Sequence, residues 1–137
     1  MKYLVLALAL LVVSGNVSLN EYGTGQSCSS DGGFTISSFT ISPFPPVACN
    51  PQAITANGTF TGNYCPNQIH IHEVYNQRQA YDQYISISGC YTNGQQVSMD
   101  FIVNPVQCNS GSYLIQVSLQ QQTPQLNLCC WQYTYSL

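Results

Sequence analysis

Apolar and polar residues alternate with a period of two along most of this chain, a pattern that admits β-strands and little else. Phe34-Thr-Ile36 begins it. Phe39-Thr-Ile41 resumes after Ser37-Ser38, a slip of one residue that predicts a β-bulge. Pro43-Phe44-Pro45-Pro46 ends that strand. Ile54, Ala56, Gly58 and Phe60 share one face of the next run, which puts Asn57 on the other. Ile69 and Ile71 alternate with His70 and His72. A run from Tyr84 to Ile87 closes at Gly89-Cys90, and Asn93-Gly94 signals a hairpin turn. Val97, Met99, Phe101 and Val103 then share a face, as do Tyr113, Ile115, Val117 and Leu119. Pro124 interrupts, and a last strand starts at Leu126 and runs through Cys129-Cys130-Trp131. Residues 74–82 lack clear alternation and read as a strand edge or a loop. No window has helical periodicity.

Seven or so short strands, with Gly, Pro and Asn between them, predict an all-β chain. The expected architecture is an immunoglobulin-like β-sandwich of two antiparallel sheets, each with a wet outer face.

Residues 1–15, MKYLVLALALLVVSG, have a positive Lys2, an apolar stretch from Leu4 to Val13, and small residues before the end. They read as a signal peptide, with a single domain over 16–137. No other segment approaches the length needed to span a bilayer. All seven cysteines lie beyond the leader, enough for three bridges with one left over. An oxidising, secretory route follows. Connectivity is not legible from spacing. A bond between the outermost cysteines would close about 100 residues, for which loop-closure entropy gives roughly 4.7 kcal/mol.

Beyond the leader Arg78 is the single Lys or Arg, against Glu21, Asp31, Glu73, Asp82 and Asp100. One basic residue cannot track a phosphate backbone, so nucleic acid is excluded as a partner. Ser, Thr, Asn, Gln and Tyr supply the wet surface instead. Asn57-Gly58-Thr59 is a glycosylation sequon on an outward face. A second sequon, at Asn16, lies at the cleavage point.

Several of these features occur together in one known family. Cys28 is followed closely by Asp31-Gly32. The strand Phe34–Ile41 runs into Ser42-Pro43-Phe44-Pro45-Pro46 and then Cys49. Asn57-Gly58-Thr59-Phe60-Thr61 comes next, and Cys130-Trp131-Gln132 follows the alternating strand Tyr113–Gln120. In this order the chain resembles the ML lipid-recognition domain family. That family includes the soluble Niemann-Pick type C sterol carrier and the phosphatidylglycerol/phosphatidylinositol transfer proteins.

The resemblance implies a sandwich with an apolar cavity between its sheets, holding a sterol or phospholipid and transferring it between membranes. The protein would be secreted or lie in the lumen of endosomes or lysosomes, acting as a monomer with transient membrane contact and no cofactor. The cavity lining would be Phe39, Ile41, Phe60, Ile69, Ile71, Ile85, Ile87, Phe101, Val103, Ile115 and Val117. Phe44, Tyr75, Arg78 and Tyr84 would stand at its mouth, Arg78 meeting an anionic headgroup. Burying a CH₂ is worth ~0.8 kcal/mol, so a 16-carbon chain resists water by up to about 12 kcal/mol and a dry cavity returns most of that. By the same resemblance Cys28 pairs with Cys130, and Cys90 with Cys108 is the nearest match to the family's third bridge, which closes a short loop. Cys49 lacks the family's local partner; Cys65 is the nearest in sequence. Cys129 is additional. Adjacent cysteines on a strand face opposite ways, and Cys129 is either a free thiol or a partner for Cys49 or Cys65.

The residues alone also suit a different function. A surface rich in Tyr, Gln and Asn, with Trp131, fits a secreted carbohydrate-binding or adhesion module. The two readings diverge on where the aromatics lie: around an internal void for a lipid carrier, on an exposed face for a sugar binder. His70 and His72 share a strand face and would hold zinc if a third ligand approached. No second cluster in the sequence supplies one, so the pair reads as polar surface and no metal is expected. Without a Gly-x-Ser-x-Gly or His-Glu-x-x-His motif, and with scattered acidic residues, no enzyme is expected.

Overall fold

The computed structural model describes residues 24–137. The leader at 1–15 and the Asn16 sequon fall outside the described residues. Eight strands follow: β1 (Gln26–Ser27), β2 (Phe34–Ser42), β3 (Gln52–Phe60), β4 (Gln68–Tyr75), β5 (Gln79–Ser86), β6 (Gln96–Val103), β7 (Ser112–Gln122) and β8 (Gln125–Ser136). They form two antiparallel sheets, a five-stranded one ordered β1-β8-β7-β4-β5 and a three-stranded one ordered β2-β3-β6. The sandwich architecture follows from the alternation, because each strand has one apolar face to bury.

Local details track the sequence pattern closely. The β2–β3 register slips between Ile36 and Ser38, leaving Ser37 unpaired at the bulge. A second bulge leaves Leu128 as the extra residue between β7 and β8, and its side chain is fully buried. Residues 74–82 combine both expected readings: they span the end of β4, the turn at 76–78 and the first half of β5, an edge strand. Asn76 and Gln77 both have positive φ, 49° and 59°. Arg78 N–H donates to the Tyr75 carbonyl at 3.0 Å, closing the turn. β5 hides its alternation because it is an edge strand whose inward residues, Tyr81, Gln83 and Ile85, are only half-buried. Asn93-Gly94 does form a turn, with Gly94 at φ 85°. It joins the crossover from one sheet to the other, so the expected hairpin is absent there.

The inward residues pack into one core. Phe39, Ile41, Phe60, Ile69, Ile71, Val103, Ile115 and Val117 are buried, and Ile85, Ile87 and Phe101 flank them, half-buried. Aromatic rings fill the centre: Phe39 stacks on Trp131 at 5.5 Å, Phe60 on Tyr91 at 4.5 Å, and Tyr113 on Tyr135 at 4.9 Å. An apolar pocket between the sheets, beside Phe39, Ile69, Val117 and Trp131, measures about 20 Å³. That is room for about one water, where ligand pockets run to roughly 300–1,000 Å³. The residues expected to line a hollow therefore pack against one another.

Three polar side chains, Gln52, Glu73 and Gln121, are buried in the same phase as their apolar neighbours, and Gln121 Oε1 accepts from the Cys65 backbone N–H at 2.7 Å. Gln52 accepts from the Tyr133 hydroxyl at 2.5 Å and donates to the Tyr135 hydroxyl at 3.2 Å. Glu73 Oε2 accepts from the backbone N–H of Val106 (3.0 Å) and Gln107 (3.2 Å), tying the loop after β6 to the large sheet. Its Oε1 has no hydrogen-bond partner among the described residues. Burial pushes the Glu73 carboxyl above its ordinary range, against the opposing pull of those two backbone donors.

Three disulfides staple the sandwich: Cys28–Cys130, Cys49–Cys108 and Cys65–Cys90. The first is the pairing the family resemblance implies. The other two differ from the nearest matches, and strand register explains both. Gln52 faces Val103 across β3 and β6, so Cys49 just before β3 meets Cys108 just after β6. Gln68 faces Ser86 at the open end of the β4–β5 hairpin, which brings Cys65 to Cys90. Cys129 is the free thiol. Three disulfides indicate an oxidising, extracytoplasmic location.

Candidate functional site

The outer face of the five-stranded sheet carries a continuous band of polar and aromatic side chains, and pairing register assembles it. His72 lies opposite Asp82 and His70 opposite Tyr84 across β4 and β5. On the other side of β4, Gln68 faces Gln120, His70 faces Ser118, and His72 faces Gln116. Gln116 in turn faces Gln132 on β8, and Gln132 faces Gln26 on β1.

The band is cross-braced. Asp82 Oδ1 lies 2.7 Å from His70 Nε2 and 2.7 Å from His72 Nδ1. Hydrogen bonds from His72 and then His70 hold the Asp82 carboxyl below its ordinary range. The Tyr84 ring stacks on His70 with centroids 4.7 Å apart and planes 9° from parallel. Gln68 Nε2 donates to Gln120 Oε1 at 2.6 Å, and Gln116 Nε2 donates to Gln132 Oε1 at 3.0 Å. Tyr84 is 60% exposed, so one ring face rests on His70 while much of the side chain stays open to solvent. A rigid aromatic beside ordered amides offers stacking area and directional hydrogen bonds at low entropic cost.

The residues expected at a cavity mouth do not assemble into one. Arg78 is exposed in the β4–β5 turn. Tyr75 ends β4 and donates its hydroxyl to the Ser110 carbonyl at 2.8 Å. Phe44 sits in the proline turn with its ring edge-on to Tyr133 at 6.2 Å. Of the four, only Tyr84 joins the outer band. Trp131, expected as a sugar-stacking surface ring, is buried, and its indole N–H donates to the Thr24 carbonyl at 2.7 Å. Asn57 does face outward, and its Nδ2 donates to Ser38 Oγ at 2.8 Å. Asp82 was missed as a partner of the histidines, since only the hairpin register brings it to them.

A concave feature lies elsewhere, at the edge of the sandwich. An open groove of about 620 Å³ runs between the β1 segment and the start of β2, with Phe34, Ile36, Cys129 and Trp131 along its apolar side.

No protein-family model matches the chain, and no curated protein matches it. Among solved structures, the C-terminal domain of wzt superimposes with a TM-score of 0.67 at 16% sequence identity, covering 86% of this chain and 83% of that one. At that identity the likeness establishes the fold: an all-β sandwich of two antiparallel sheets.

Proposed function

We propose that this protein is a secreted, non-catalytic carbohydrate-binding or adhesion module. In this reading it presents the outer face of its five-stranded sheet to a glycan. The observation that carries the proposal is the location of the aromatics: the core is filled, while Tyr84 stands exposed on a braced polar face. A pyranose would stack on the free side of Tyr84. The Gln68–Gln120 and Gln116–Gln132 amides, already oriented by each other, would meet its hydroxyls. Asn57 on the opposite, three-stranded sheet is the proposed glycan attachment site, which keeps that modification off the binding face. Near absence of positive charge fits a neutral ligand and a monomer that relies on hydrogen bonds.

The test is a glycan array probed with the disulfide-bonded protein, followed by titration of the best ligand. Tyr84→Ala should weaken binding about tenfold, near 1.4 kcal/mol. Retention of no glycan, or equal affinity in the variant, would refute the reading.

A lipid carrier of the ML type is the second reading, supported by the edge groove rather than by an interior cavity. Its volume suits a single acyl chain or a sterol. Native mass spectrometry of protein made in a eukaryotic secretory host, with lipid extraction, separates the two. A co-purifying sterol or phospholipid would favour the carrier. Absence of any bound or exchangeable lipid would eliminate it.

A further inference from the structure

We propose that His70, His72 and Asp82 form a binding site for one divalent transition-metal ion, with zinc as the best-suited occupant. The expectation of no metal rested on the lack of a third ligand near the two histidines. The β4–β5 register supplies it: Asp82 is the direct cross-strand partner of His72 and sits diagonally from His70. The three ligand atoms all lie within 4.8 Å of one another.

Zinc–nitrogen and zinc–oxygen bonds of ~2.0–2.2 Å in a tetrahedron place neighbouring donors about 3.3 Å apart. The present separations, 2.7 Å from Asp82 Oδ1 to each ring nitrogen and at most 4.8 Å between the rings' ligand atoms, bracket that value. The adjustment falls on side chains that are 22%, 32% and 46% exposed and so are free to make it.

Donor chemistry selects the ion. Two imidazoles and one carboxylate suit zinc, copper or nickel; calcium and magnesium prefer all-oxygen shells. No Lys or Arg side chain forms an ion pair with Asp82 among the described residues, so nothing else neutralises its charge besides the two rings. Neither ring makes a further hydrogen bond to a described residue. Each neutral imidazole can therefore carry its proton on the other nitrogen and turn a lone pair to the metal, at Nε2 of His70 and Nδ1 of His72. The Tyr84 ring, stacked on His70, limits how far that imidazole can swing. Three protein ligands on an outward face leave a fourth position for water or a ligand oxygen, the arrangement of an open rather than a closed structural site.

The experiment uses the disulfide-bonded protein, stripped with chelator and titrated with zinc chloride in the absence of any glycan, so it stands apart from the proposal above. Calorimetry and native mass spectrometry should show one equivalent of zinc. Long-range ¹⁵N–¹H spectra should show shifts at His70 Nε2 and His72 Nδ1. Both His72→Ala and Asp82→Asn should weaken binding by at least about tenfold, and Cys129→Ser should leave it unchanged. Magnesium and calcium should not compete. Absence of uptake, uptake unaffected by both ligand variants, or uptake lost with Cys129 would each overturn the proposal. The nitrogen shifts in the unmutated protein decide the matter even if a variant misfolds.

Discussion

Adjacent cysteines at 129 and 130 meet opposite fates because a strand sends them to opposite sides. Cys130 takes Cys28 at the sheet's outer side, while Cys129 turns inward beside Leu119. Burial pushes the Cys129 thiol up to about 12, so almost no thiolate exists at neutral pH. Native protein should therefore react negligibly with a thiol-specific disulfide reagent at neutral pH, and should release one equivalent of colour once unfolded in denaturant without reductant. Rapid labelling of the native chain would instead show that the groove beside Cys129 leaves its thiol able to ionise. Phe60 shows no exposure and touches Phe34 and Tyr91, so Phe60→Ala should lower unfolding free energy by about 3–5 kcal/mol in denaturant titrations. Tyr84→Ala, on the outer face, should stay within roughly 0.5 kcal/mol of the parent. The pair separates packing from binding.

Among the elements, the β4–β5 hairpin is where sequence and structure part company. The bulge at Ser37, the outward Asn57 and the opposed cysteines were all legible, because each follows from counting residues in twos. Asp82 was not. Its role depends on which strand pairs with which, and the turn at Asn76-Gln77 has no glycine to announce it. The buried Gln52 and Glu73 did leave a signal: each keeps phase with inward isoleucines, Ile54 for one, Ile69 and Ile71 for the other.

Glu73 has a pH consequence. A carboxyl whose folded pKa is raised binds its proton more tightly folded than unfolded, so its contribution is present below 4.5 and is lost as pH rises through the higher folded value. Asp82 acts oppositely and in a separate window, since its lowered carboxyl loses stability only as pH falls below 3.8. In chelator, melting temperature should rise as pH is lowered from neutral toward 4.5. Glu73→Gln should flatten that slope, because the amide cannot ionise. An unchanged slope would place the titrating group elsewhere.

The whole molecule joins two sheets through a filled aromatic core, and its three disulfides tie together ends of strands that already pair within a sheet. Sequence reading reached the class of fold. It did not reach the solidity of the interior, because the same inward residues would line a cavity or fill a core, and only the way Phe39, Trp131, Tyr133 and Tyr135 interleave decides between them. The Cys28–Cys130 bond spans a sequence separation of 102 residues. Replacing both by serine should lower stability by up to about 4.7 kcal/mol on the loop-closure estimate, read as a shift in the denaturant midpoint.

That bond also governs the border of the larger sheet. Residues 26–31 lie along β8 from Asn127 to Gln132, and Cys28 N–H and Asp31 N–H donate to the Cys130 and Asn127 carbonyls. Reduction would free this short cover and leave the backbone donors and acceptors of a long, aromatic strand open to another chain. Mild reduction that spares the core should therefore let the protein form ordered aggregates edge to edge through β8, read as seeded growth that the oxidised protein does not show.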